Sequence, residues 1–130
     1  MEKINSTLYA SAARTATPTA ESISLVAYNG PSHLHGIRII HVVIDVTAIT
    51  LTPSVVPTID YYDDTSGKWY NVLTGAAITA TGTTVLRIGE SMPASANLIA
   101  TDAVSDNVRV TMTHGDTDSI TYSVGINLFR

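Results

Sequence analysis

The sequence predicts an all-β protein, a single antiparallel β-sandwich of jelly-roll or Greek-key type with eight or nine strands. Three observations predict it. Long stretches alternate apolar and polar residues at period two, the pattern of half-buried strands. Val, Ile and Thr dominate those stretches, and β-branched side chains lose rotamer freedom in a helix. Turn residues recur every ~8–12 positions, the spacing of sandwiches and barrels. The chain has 130 residues, 45% of them hydrophobic and 14% charged, which is enough for one domain with a core of its own.

The elements follow in order. Residues 6–13 and 22–28 are the first strand candidates. Overlapping the first of them, Ala10–Ala20 reads ASAARTATPTA, rich in small residues, nearly uncharged and closed to helix by Pro18. Residues 1–20 are therefore an edge strand or an extended arm that adds to another chain. Residues 21–130 form the sandwich proper. Asn29-Gly30-Pro31 and residues 32–36 make a loop.

The longest strand is 37–49. Ile40, Val42, Ile44, Val46 and Ala48 share its core face, and Ile39, His41, Val43, Asp45 and Thr47 share the other. Residues 54–62 and 68–73 flank Asp63-Asp64-Thr65-Ser66-Gly67, a hairpin with Gly67 at positive φ. Residues 76–80 form a short strand, and Ala80-Thr81-Gly82 turns into the Leu86/Ile88 strand.

Residues 89–106 lack a period and make one long connection, with a short helical turn around Ala94–Ala100. His114–Asp118 is a second hairpin joining the last two strands. The core expected from these patterns is Ile40, Val42, Ile44, Val46, Val108, Val110, Ile120, Tyr122, Val124 and Ile126.

Charge and composition narrow the function. The net charge of −4 disfavours nucleic acid and anionic lipid as partners. There is no cysteine, hence no disulfide framework, thiol nucleophile or Cys-type metal site. No apolar run spans a membrane. MEKINSTLYA lacks an apolar signal core, so synthesis in a cytoplasm is expected.

His33-Leu34-His35 offers two imidazoles, but no third ligand is placed beside them. Asp116 and Asp118, together with Asp102 or Asp106, offer oxygens to calcium, but a lone D-x-D supplies too few, and Asp is also an ordinary residue of tight turns. Asp60, Asp63 and Asp64 read as hairpin-tip residues serving the turn and solubility. No phosphate loop, dinucleotide fingerprint or nucleophile elbow occurs. No catalytic residue, cofactor or metal is expected, and the chain reads as a non-enzyme. Tyr61, Tyr62, Trp69 and Tyr70 face one another across the first hairpin, as stabilising cross-strand pairs or as a sugar platform.

Several segments carry a resemblance. SAARTATPTA, HGIRIIHVVIDVTAI, TSGKWYNVLTGAAITATGTTVLRIG and THGDTDSITYSVG resemble, in that order, a family of small tailed-bacteriophage virion proteins. The run into the penultimate strand, Ser105-Asp106-Asn107-Val108-Arg109, lacks the Pro and Trp of that family's pattern.

The resemblance implies a capsid decoration (cement) protein on the outside of the head. Its partners would be the major capsid protein and further copies of itself, with a homotrimer favoured. A small tail or connector component is the variant within the same virion. A carbohydrate-binding or receptor-binding sandwich is the alternative from a different class. Residues expected at a partner interface are Ser11, Arg14, Thr15, Thr17, Pro18 and Trp69.

Overall fold

A computed structural model describes residues 2–26 and 36–130. Among these residues nine strands follow one another: β1 (Lys3–Arg14), β2 (Glu21–Ser24), β3 (Ile39–Ile49), β4 (Val55–Asp63), β5 (Lys68–Thr74), β6 (Gly82–Gly89), β7 (Ile99–Ala100), β8 (Asn107–His114) and β9 (Ile120–Phe129). They form a five-stranded sheet, β1-β9-β3-β6-β7, and a four-stranded sheet, β2-β8-β4-β5. All pairs are antiparallel except β6 with the two-residue β7.

With β7 set aside, the pairings nest. The first strand pairs the last (β1·β9), then β2·β8, β3·β6 and β4·β5. Such a folded-over hairpin, rolled so that β9 also joins β3 and β8 also joins β4, is a jelly roll.

Alternation builds the core between the sheets. Ile40, Val42, Ile44 and Val46 of β3 meet Val108, Val110 and Met112 of β8, and every second residue of β9 from Ile120 to Leu128 is buried. All ten core residues expected from the sequence are buried. Leu25, Ile37, Val55, Ile59, Tyr61, Leu86 and Ile88 join them.

Ala48 does not, because the β3–β9 register shifts between Val46 and Ala48. A bulge turns the residues after it to the other face, so Ala48 is exposed.

The first hairpin is as expected. Gly67 has φ +70° and its N–H bonds Asp63 O at 2.9 Å. Asp63 Oδ2 also accepts the Ser66 N–H at 3.0 Å. Hydrogen bonds from Ser66 hold this carboxyl below its usual range.

Two expected local structures are different, and the expected helical turn around 94–100 is a single turn that ends at β7. Residues 114–118 are not a hairpin, since β8 and β9 lie in different sheets. They are an arch between sheets, packed beside the β3–β4 arch. Gly115 N–H bonds Ser54 O at 2.8 Å and Thr50 N–H bonds Ser119 O at 2.9 Å.

Residues 76–80 are likewise no strand. They carry the chain from β5 to β6 in the opposite sheet, with one bridge, Ile78 to Val55. The crossing starts at Gly75, where a Cβ would lie 2.7 Å from Pro57 Cγ. Around 94–100, the N–H groups of Leu98 and Ile99 both bond Ser95 O. Asn97, at φ 62°, ends that single turn before a helix can propagate, because left-handed residues do not extend a right-handed helix.

Candidate partner-binding surfaces

Residues 3–14 are a strand of the sandwich itself, paired to β9 from Lys3↔Phe129 to Arg14↔Ile120 with shifts between Thr7 and Tyr9 and between Tyr9 and Ala12. Tyr9 turns into the core, 5% exposed. Its hydroxyl lies 2.9 Å from Thr19 O and 3.0 Å from Val110 O, and accepts the Glu21 N–H at 3.1 Å. Burial raises this phenol's pKa.

At the end of β1, the Arg14 guanidinium donates to Tyr122 O and Ala10 O, both at 2.7 Å, and lies 4.4 Å over the Tyr122 ring. Tyr122 OH is 3.0 Å from His114 Nε2, and burial pushes that phenol up to about 12. His114 is held below its ordinary pKa, first by burial and then by the nearby Arg14 charge. Its backbone N–H donates to Thr17 Oγ1 at 2.9 Å. Ser11 and Thr15 are exposed and Pro18 is half-buried.

Five of the six expected interface residues thus lie along one corner, from the β1 bulge to the β1–β2 link. Trp69 does not share it. β1 lies at one edge of the sandwich, over β2, whereas β5 lies at the other edge, beside β7.

Trp69 belongs to a second cluster, on the outer face of the four-stranded sheet. Arg109 donates through Nη2 to Asp60 Oδ2 at 2.9 Å and through Nε at 3.3 Å. Asn71 Nδ2 donates to Asp60 Oδ1 at 3.3 Å. The Arg109 guanidinium lies 4.7 Å from the Trp69 ring centre, and Tyr62 meets Trp69 edge-on at 5.1 Å. Registers Asp60↔Arg109 and Asp60↔Asn71 align these groups in one row.

Reading Asp60 as a hairpin-tip residue is therefore corrected. It stands inside β4, 8% exposed, and its charge is neutralised by a strand distant in sequence. Arg109 at an outward position opposite an Asp is the available signal, but the β4–β8 pairing is needed to see it.

Asp116 and Asp118 serve loops. Asp118 Oδ2 accepts the Thr52 N–H, and Asp116 Oδ1 accepts the Asp118 N–H, each at 3.1 Å. Among the described residues no three His, Asp or Glu side chains gather as a metal site. His33 and His35 lie outside the described residues. Comparisons with protein families, with curated proteins and with solved structures find no match for this chain.

Proposed function

We propose that this chain is a structural protein of a tailed-bacteriophage virion, a capsid decoration protein bound to the outside of the head as a homo-oligomer. The observation that carries the reading is the jelly roll itself, an architecture used in viral shells. The longest resembling segment, residues 65–89, builds β5, the crossing and β6, so it frames one whole edge of that roll. The polar groups described above are spent on holding strands and arches together, and the net charge of −4 favours a station away from packaged DNA.

Co-sedimentation of the purified chain with expanded capsids of its phage, followed by imaging, tests the proposal. Saturable binding at symmetry-related sites on the outer shell is expected. Absence of binding, or density confined to the tail, would overturn it. The second reading is glycan recognition. Trp69, Tyr62 and Arg109 favour it, because an aromatic ring beside polar groups suits a sugar face. Binding on a glycan array that is lost in Trp69→Ala would favour this reading over decoration.

A further inference from the structure

The five-stranded sheet has two unfinished edges. On one side β1 has no outer neighbour strand among the described residues. On the other, β7 covers β6 only at Arg87 and Ile88, so the edge from Gly82 to Leu86 has no partner strand among the described residues. An open edge offers unpaired main-chain donors and acceptors to another strand.

A cleft of about 490 Å³ opens beside the start of β6, between the 76–81 crossing and the 96–98 turn. It is lined by Ala76, Ala77, Ala80, Gly82, Ala96 and other neutral residues, with no ionisable side chain among them. What it fits is an extended, uncharged backbone with small side chains. The opposite edge supplies one, since Ala10, Ser11, Ala12 and Ala13 of β1 are all exposed, with Arg14 already occupying the Ala10 and Ala12 carbonyls.

The two edges also match in height. Ala12 pairs Tyr122, Tyr122 pairs Val46, and Val46 pairs Gly82. One row thus runs straight across the sheet from the exposed β1 stretch to the mouth of the cleft. A second row, Tyr9–Val124–Ile44–Thr84, lies two residues away on β9, β3 and β6 but three away on β1, where the bulge between Tyr9 and Ala12 adds a residue.

Polarity agrees as well. Strands alternate direction from β1 through β9 and β3 to β6, so a further β1 beside β6 continues the antiparallel order. Head-to-tail contacts close into a ring only if successive copies do not climb along the axis. Edges at equal height meet that condition for an axis along the strands.

We propose that copies of this chain join head to tail, the Ala10–Ala13 stretch of one copy adding to the open β6 edge of the next in this cleft. This rests on the homo-oligomer part of the function proposed above and specifies its interface.

The test uses the absence of native cysteine. Ser11 and Thr83 are exposed and flank the same row on the two edges. A Ser11→Cys chain mixed with a Thr83→Cys chain should form a disulfide-linked pair on oxidation, while either alone stays uncrosslinked. The double variant should give closed covalent rings. Ala96→Arg, at an exposed position, should block the cleft. It should reduce the light-scattering mass from a multiple of 13.8 kDa to a single chain with an unchanged melting temperature.

Self-crosslinking of Ser11→Cys alone, an oligomer indifferent to Ala96→Arg, or a wild type that is monomeric at high concentration would each overturn the proposal. Capsid co-sedimentation of Ala96→Arg separates the two claims. Binding retained by a monomer leaves decoration standing and removes this interface.

Discussion

Replacing Arg109 by Leu should destabilise the fold by about 2 kcal/mol. The substitution removes two charge-assisted bonds to Asp60 Oδ2 and the contact with Trp69. It leaves the Asp60 carboxylate, whose side chain is only 11% exposed, with Asn71 Nδ2 at 3.3 Å as its remaining side-chain donor. Stranding a fully buried charge costs ~3–5 kcal/mol. Asp60 faces the outer side of its sheet, and the Arg109 side chain is 30% exposed, so water can enter the vacated space and the cost falls below that range. Asp60→Asn strands an arginine that reaches solvent, and should cost about half as much. The double variant should recover ~1 kcal/mol relative to the sum, the signature of directly coupled residues. Urea titration followed through the fluorescence of Trp69, the single tryptophan, reads both stability and the local environment. A loss under about 0.5 kcal/mol for Arg109→Leu, with additive double-variant energies, would show that the pair is a surface ornament and refute the reasoning.

Ile44→Ala, at a residue with no solvent exposure, should cost ~2–5 kcal/mol by denaturant titration. Leu51 is 78% exposed at φ 61°; Leu51→Asn should raise stability by roughly 0.5–1 kcal/mol in the same titration, since Asn tolerates the left-handed region. His41 and His114 are both held below 6.5, chiefly by burial. The unfolded chain therefore takes up their protons first, and their stabilising contribution is complete above pH 6.5 and declines as pH falls below it; melting temperatures across pH 5–8 should show this slope, flattened in His114→Gln. Deleting residues 2–14 should leave an insoluble or unfolded chain by circular dichroism, because it strips β9 of a partner and removes buried Tyr9.

The alternation of β3, β8 and β9 makes the sheet faces legible in the sequence itself, because a side-chain period of two needs only local information. Which strands share a sheet is not local. Residues 114–118 and 80–82 have the composition of hairpin turns, and the same Gly and Asp residues serve equally well in an arch between sheets. The β3 bulge that exposes Ala48 depends on register with β9, which no single-strand pattern contains. Arg14 and Trp69 stand out in the sequence as the one cation of residues 10–20 and the single indole, but their partners are remote. Tyr122 lies 108 residues beyond Arg14, and Arg109 lies three strands beyond Trp69. Such separations are bridged only by the nested pairing of the jelly roll.

The two side-chain clusters occupy mechanically different places, and that difference bears on how the molecule can be used. Arg14, Tyr9, Tyr122 and His114 tie the β1–β2 link to strands of both sheets, so the corner carrying Ser11, Thr15 and Thr17 is fixed before any partner arrives. A preorganised edge loses little conformational entropy on pairing. Asp60 and Arg109 cancel each other on the outer face, which keeps that face close to neutral around Trp69. The chain thus has a braced strand edge and, around Trp69, a face whose charges cancel. Such surfaces suit repeated contacts between identical copies, where a strong field of one sign would set like against like.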